Sequence, residues 1–295
     1  MIDASIIIVN YHTSDQIADC IESVRKLSHG FEYEIIIVDN NSEPALKQVY
    51  NDQVDVTVLL LPENVGFGRA NNAGFDIAKG RYVFCLNPDT ILLNNAIGIL
   101  VDFMDTHPEA AACGGNLYDT ELKPTLSFRR ILPGLKWEIN EFFNRKIERS
   151  IYKSDYIFNN TGQPIEVGYI TGADLLIRKE VIDKVGGFDS RFFMYYEETD
   201  LCNRIKKHGG KIFSVPSAKI QHLEGGSFKE TGVNYNRLKR SEEGRKTYNS
   251  INFSPARRLL VNTLCLSTLI TRSILLPAGV KRDSWRYKLK LFFKS

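Results

Sequence analysis

Tyr82-Val83-Phe84-Cys85-Leu86-Asn87-Pro88-Asp89 is the stretch on which the reading of the fold turns. Five apolar residues without polar alternation describe a strand buried on both faces. The run stops at Asn87-Pro88-Asp89, where proline ends the ladder and Asn and Asp favour a turn. A carboxylate, Asp89, is thereby placed just past the carboxyl end of a buried strand. The same device occurs upstream. Ser5–Val9 is a β-branched run that ends in Asn10-Tyr11-His12-Thr13. Glu34–Val38 is a second strand and ends in Asp39-Asn40-Asn41-Ser42; Val54–Leu61 is a third. Between them lies an amphipathic helix from Ser14 to Leu27, with Ile17, Ile21 and Val24 on one face. Asn64-Val65-Gly66-Phe67-Gly68 turns into a further helix over Arg69–Lys79. This alternation predicts an α/β fold: an open, mostly parallel sheet flanked by helices.

In such sheets ligands sit outside the carboxyl ends of the strands. Three polar clusters fall there, around Asn10-Tyr11, Asp39-Asn40-Asn41 and Asn87-Pro88-Asp89. Each alone reads equally as a cap for the next helix. Three at one edge point to a binding site.

Regularity weakens from Asp119 to Pro164, a stretch rich in proline, aromatics and charge that reads as an insertion over about 119–166. Strands return over Glu166–Arg178, followed by a helix near Lys179–Val185 and a turn at Gly186-Gly187-Phe188-Asp189. Glu197–His208 reads as a helix, and Lys211–Val215 and Lys219–His222 as two strands.

The bulk numbers fit a folded body of one large or two modest domains. The 295 residues are 43% hydrophobic and 25% charged, which excludes wholesale disorder. Five cysteines (20, 85, 113, 202 and 265) are scattered without a CxxC pair, against a disulfide framework or zinc site and in favour of a reducing cytoplasm. The N-terminus lacks a basic region and a cleavage site, so no signal peptide is expected. Net charge is +3 and uneven: the segment 254–295 holds nine Lys/Arg against one acid, a balance of +8, leaving −5 on the rest. A basic tail on an acidic body suggests a polyanionic partner, nucleic acid or anionic lipid. The body shows no nucleic-acid-binding motif, so no nucleic-acid partner is expected.

Transfer of a sugar from a nucleotide donor needs a base-binding site, a divalent cation on the diphosphate and a carboxylate to deprotonate the acceptor. Hard cations take oxygen ligands and keep phosphate oxygens as partners. Asp89 suits such a ligand. Glu197 and Glu198 open a helix, where the dipole favours anions. His222 ends a strand and can offer nitrogen to the same metal. The bland readings stand beside these: a turn, a helix cap and a packed histidine.

The chain resembles family 2 glycosyltransferases of the GT-A fold, and especially their bacterial rhamnosyltransferase-type members. Seven segments carry the likeness, in order from about residue 4 to 225: Ser5–Tyr11, Val38–Ser42, Asn64–Asn72, Leu86–Thr90, Thr171–Ala173, Gly186–Asp189 and Phe193–Cys202. The resemblance implies that Tyr11 and Asp39 hold the nucleotide base, with Asp39 accepting a ring N–H, and that Asn10 and Asn41 belong to the nucleotide-sugar site. It implies that Asn64, Gly66, Asn71, Asn72 and Asn87 line the nucleotide-sugar site, Gly66 allowing close backbone approach. Asp89 would stand for the last Asp of the DxD-type motif and would share Mg²⁺ or Mn²⁺ with His222. Thr171, Gly172 and Ala173 would lie on the acceptor side. Glu198 falls where the family has its catalytic Asp, with Glu197 or Asp200 in support. Two departures are visible. Asn87 replaces an Asp common in the family and removes a charge near the metal. Glu198 is one methylene longer than Asp, and a misplaced base can cost much rate.

The implied reaction is a single inverting displacement from a nucleoside-diphosphate sugar. dTDP-rhamnose is the donor the branch suggests; UDP-sugars stay open, because uracil and thymine present the same edge to Asp39. The acceptor would be a glycan or a polyprenyl-linked glycan in cell-surface polysaccharide synthesis. A nucleotidyltransferase would carry a basic Gly-rich loop early in the chain, which this sequence lacks. A non-catalytic nucleotide-sugar scaffold stays open on the strength of the two departures, as does a homodimer. The segment 254–295 is a basic amphipathic extension beyond the domain at 1–253. It reads as an interfacial anchor on the inner face of the plasma membrane, with a packed helical subdomain and a true membrane span as alternatives.

Overall fold

The structure, a computed structural model, describes residues 1–42, 46–50, 52–223 and 232–294. Strand β1 (Ala4–Asn10) is buried throughout, as its unbroken apolar run requires. Helix α1 (Ser14–Leu27) covers it with Ile17, Cys20, Ile21 and Val24. Then come β2 (Tyr33–Asp39), α2 (Leu46–Tyr50) and β3 (Val56–Leu60), with β3 pairing parallel to β2. Val54 stays outside that strand and is fully exposed. Helix α3 (Phe67–Ile77) starts two residues before the expected Arg69, because Gly66 already turns the chain at φ +87°. β4 (Tyr82–Leu86) is buried at every position.

Four further elements occupy the stretch that pattern reading leaves blank: β5 (Thr90–Leu92), α4 (Ala96–Thr106), β6 (Ala110–Tyr118) and, in the insertion, the two-residue β7 (Phe128–Arg129). The insertion also folds two short helices, α5 (Leu135–Phe142) and α6 (Lys146–Tyr152). Three strands then follow, β8 (Ile165–Glu166), β9 (Tyr169–Ile170) and β10 (Asp174–Arg178). Helices α7 (Lys179–Val185) and α8 (Glu197–Lys207) lead to β11 (Lys211–His222). The two strands expected over 211–222 are one. Its register against β6 shifts between Ser214 and Lys219, around Pro216, which has no N–H to donate.

The large sheet has nine strands in the order β3-β2-β1-β4-β10-β6-β11-β5, with β8 also on β11. β1 to β4, β6 and β11 run one way, and β10, β5 and β8 run against them. β7 and β9 form a separate two-stranded sheet. Apolar side chains fill both faces of the large sheet, in clusters built around Ile6, Ile8 and Phe84 on one side and Ile7, Val83 and Leu175 on the other.

After β11 come α9 (Tyr235–Asn252), α10 (Pro255–Leu275) and α11 (Val280–Phe293). Ser254 caps α10, and Pro255 sits at its first turn, where a missing N–H costs nothing. The basic extension is therefore helical, and it packs. α10 buries Val261, Cys265, Thr268, Leu269 and Ser273. Arg245 Nη1 and Asn249 Nδ2 of α9 both donate to Asn262 Oδ1, at 3.2 and 3.3 Å.

Glu138 of α5 is buried beside this layer. Desolvation pushes its carboxyl up to about 7, against the pull of Arg245 and with a further push from Glu141 and Glu242. The folded chain therefore holds this proton more tightly than the unfolded chain. The stability it brings is full below the ordinary carboxylate pKa and is lost as pH rises through about 7. Unfolding by urea between about pH 5 and pH 8 should show stability falling with pH, and Glu138→Gln should remove up to about 3 kcal/mol of that fall. An unchanged slope in the variant would refute the assignment.

Candidate active site

The corner around Asp89 is made by strand pairing. β5 lies antiparallel to the end of β11, with Thr90 opposite His222. Leu223 N donates to Asp89 O (2.9 Å), which fixes the Asn-Pro-Asp turn against that strand end. His222 Nε2 comes to 3.2 Å from Asp89 Oδ1 and 3.3 Å from Asn87 Nδ2. Asn87 is pinned from behind: its N–H donates to Ala173 O (3.0 Å), and its carbonyl accepts from Thr90 Oγ1 (2.7 Å). Two donors on one small cation at right angles stand about 3 Å apart. The Asp89–His222 spacing fits that. No cluster of three or more His, Cys, Asp or Glu exists among the described residues. A cation here would take only two protein ligands and would need phosphate oxygens and water for the rest.

Across the Thr171–Ala173 segment stands the start of α8. A Cβ built at Gly172 would lie 4.0 Å from Glu198 Cβ and 3.2 Å from the Phe67 ring. So Ala173 touches the Asn87 turn while Gly172 faces Glu198. Tyr195 and Tyr196 lead into the helix at φ +70° and +73°, positions that non-glycine residues seldom occupy. The turn holds because α9 clamps it: Gly244 leaves room for the Tyr195 carbonyl, where a side chain would overlap.

The three acids of that first turn have different surroundings. Glu197 is buried against Gly68, and its Oε2 finds no hydrogen bond among the described residues. Desolvation and then the Glu198 charge hold its carboxyl well above the usual range. Glu198 is half-buried and also raised by desolvation, with Thr199 Oγ1 donating to Oε1 (3.3 Å). The two carboxyls interact, and the deeper Glu197 is held further toward its protonated form than Glu198. Asp200 is fully buried. It accepts from Arg204 Nε (2.8 Å) and Asn252 Nδ2 (2.8 Å), locking α8 to the end of α9. Asp200, expected to support the base or acceptor, is thus bonded to Arg204 and Asn252.

At the ends of β1 and β2, Asn10 and Asp39 are buried and bonded to each other, Asn10 Nδ2 donating to Asp39 Oδ1 (2.7 Å). Ser42 closes over them, donating from Oγ to Oδ1 (2.8 Å) and from N to Oδ2 (3.0 Å). Tyr11 is exposed next to this pair, and Asn41 is exposed at φ +60°, a conformation Asn tolerates. Ser42 has no motif of its own; only the fold shows it on Asp39.

Several residues expected to line the donor site also make contacts within the protein. Asn72 exchanges two hydrogen bonds of 2.8 Å with the Phe188 main chain, one from Nδ2 and one to Oδ1. Gly66 does allow close approach, but of the Phe193 carbonyl, and Phe67 N donates to that same oxygen (3.1 Å). Asn64 Oδ1 accepts from Asn40 Nδ2 (2.9 Å) and Gly66 N (3.0 Å). Asn71 Nδ2 donates to Phe67 O (3.0 Å), while its Oδ1, like Thr171 Oγ1, is buried without a partner among the described residues. Unsatisfied buried polar atoms of this kind collect at ligand sites.

Comparison with known proteins agrees with this architecture. The chain belongs to glycosyl transferase family 2, whose family model matches residues 5–186. A second model, described as the N-terminal domain of galactosyltransferase, matches residues 154–225. The chain is 30% identical over 207 residues to an N-acetylglucosaminyl-diphospho-decaprenol L-rhamnosyltransferase of Mycobacterium tuberculosis, covering 64% of this chain and 66% of that protein. It is 26% identical over 227 residues to the rhamnosyltransferase WbbL of Escherichia coli, covering 74% and 82%. A solved structure of GalNAc-T7 with UDP, GalNAc and Mn²⁺ superposes with a TM-score of 0.62 at 16% identity. It covers 100% of this chain and 56% of that one, and it shares the GT-A-like sheet.

The contrast within the first turn of α8 is measurable by thermal unfolding. Asp200→Ala should destabilise by about 2–4 kcal/mol, because it strips a buried pair. Glu197→Gln should be neutral or stabilising at pH 7, since it copies the protonated acid. The reverse order would overturn this reading of the three acids.

Proposed function

We propose that this protein transfers a sugar from a nucleoside-diphosphate donor to an acceptor hydroxyl with inversion, and that dTDP-rhamnose is the donor. The observation that carries the proposal is the meeting of Asp89, His222 and Asn87 on one side of the Thr171–Ala173 segment with Glu198 on the other. The donor preference rests on the rhamnosyltransferase relatives. A polyprenyl-linked glycan suits the acceptor side, by analogy with the mycobacterial relative's name.

Tyr11 offers the base a ring beside Asp39. A ring N–H reaches Asp39 by replacing the Ser42 hydroxyl, one donor for another. Thr171, Gly172 and Ala173 border the acceptor. Glu198 takes the proton of the acceptor hydroxyl as that oxygen bonds to the anomeric carbon. The bond from the anomeric carbon to the diphosphate breaks, and its electron pair leaves with the nucleoside diphosphate. Neutral Glu197 keeps a second negative charge away from the base. Asp89 and His222 would hold Mg²⁺ or Mn²⁺, and Asn87 orients His222. Such a cation supplies charge stabilisation for the departing diphosphate.

Attachment to the inner face of the plasma membrane is part of the proposal. α10 is the one helix among the described residues that is long and apolar enough to cross a bilayer, with mean hydropathy 1.2. One stripe of it is packed, while Leu259, Leu260, Ile274 and Leu275 are exposed. A helix packed on one side and apolar on the other suits lying on a membrane.

Glu198→Gln should lower transfer by about a hundredfold or more while leaving donor binding intact; near-normal turnover would remove Glu198 from the role. Assays with dTDP-, UDP- and GDP-sugars, scored for diphosphate release, should favour dTDP-rhamnose. With only two protein ligands, Mn²⁺ alone should bind weakly. Calorimetry should show it tightening nucleoside-diphosphate binding on the order of tenfold or more, and Asp89→Ala should abolish the gain. Equal tightening in that variant would refute the metal assignment.

A further inference from the structure

The insertion is packed inside out. Surface helices ordinarily turn apolar side chains to the core and charge to water. In α5 and α6 the polar residues Glu138, Asn140 and Glu148 are buried instead. Asn140 Nδ2 donates to Glu148 Oε2 (2.8 Å), and Glu148 N donates to Asn140 Oδ1 (3.0 Å), so the two helices are joined by a buried polar clasp. Ile139, Phe142, Phe143, Ile147 and Ile151 point outward, 40–64% exposed.

Charge is sorted in the same way. Glu138 and Glu148 are internal, and Glu141 pairs with Arg145. Lys136, Lys146, Arg149 and Lys153 are exposed. Residues 135–153 thus show cations and apolar groups outward and keep every carboxylate inward or paired. Phe143, Lys146, Ile147, Ser150 and Ile151 line a shallow recess of about 420 Å³. The patch continues onto α10, where Arg272 Nη2 donates to Glu141 O and Phe142 O, both at 3.4 Å. The exposed Ile274 and Leu275 follow within one turn.

We propose that the α5–α6 hairpin is a second membrane-docking element, which seats on an anionic bilayer together with the C-terminal end of α10. Charge complementarity selects this occupant. Apolar side chains enter the acyl boundary while the lysines and Arg149 meet phosphate headgroups, and no exposed carboxylate in 135–153 opposes them. Docking here bears on acceptor delivery. β7, just before the hairpin, pairs with β9, and Ser127 O accepts from Thr171 N (3.1 Å). The hairpin is therefore connected through a few residues to the segment that borders the acceptor. The inference extends the membrane reading of α10 and does not require the transfer activity.

The test is flotation of the full chain with vesicles of phosphatidylglycerol and phosphatidylethanolamine, and with phosphatidylcholine alone. The parent should bind the anionic vesicles and not the neutral ones. F143S/I147S/I151S should weaken anionic binding by more than about tenfold, and K146E/K153E should weaken it and reduce its salt dependence. Circular dichroism and thermal melts of these surface variants should match the parent. L259S/L260S, at the far end of α10, probes the helix separately. If both hairpin variants bind like the parent while L259S/L260S does not, the hairpin inference fails and the α10 reading survives. No binding by the parent, or self-association that F143S/I147S/I151S abolishes without lipid binding, overturns the hairpin inference.

Discussion

The contact between His222 Nε2 and Asp89 Oδ1 at 3.2 Å depends on the closing of one edge of the sheet. It forms because β11 runs the length of β6 and then reaches β5, so that His222 lies opposite Thr90. The shift around Pro216 resets the register part-way along β11. Because side chains alternate along a strand, a one-residue slip would turn His222 to the other face. The position of the histidine thus depends on an irregularity some six residues before it. The Asn87 turn is held from the other side by Ala173, so the edge strand, the turn and the Thr171–Ala173 segment meet at one corner.

The acids of α8 show why residue type alone does not assign a role. Glu197, Glu198 and Asp200 occupy the same helix turn, where any acid favours the dipole. Depth separates them. Asp200 is fully buried and bonded to Arg204 and Asn252, which ties α8 to α9. Glu197 is buried and unpaired, so it takes a proton. Glu198 is half-buried beside Gly172, and desolvation raises its carboxyl less than that of Glu197. The left-handed Tyr195-Tyr196 turn that sets this depth is imposed by the α9 contact at Gly244.

The C-terminal helices serve both parts of the molecule. They clamp the start of α8 through Asn252 and Gly244, and they cover the inner face of α5 through Cys265 and its neighbours. Glu138 turns inward toward Arg245 of α9 and Cys265 of α10, while Asn140 and Glu148 turn inward onto each other. That arrangement leaves apolar side chains outside.

The sequence by itself determined the parallel half of the sheet, since unbroken apolar runs ending in Asn or Asp leave few other structures for β1, β2 and β4. It also determined the polar edge with Asn10, Asp39 and Asp89, because a strand's end is a local property. The family resemblance put forward Glu198 and His222 as candidates but could not say what faces them. Only the tertiary structure decided that Asn72 and Gly66 serve the Phe188–Phe193 segment, that Asp200 belongs to Asn252, and that Ser42 covers Asp39. Those partners lie far apart in the chain or carry no pattern of their own, and hydrogen bonds between distant residues leave no periodicity to read. The inverted hairpin escaped for the same reason. Its composition is that of an ordinary amphipathic segment, and which face is inside is settled by the helices that pack against it.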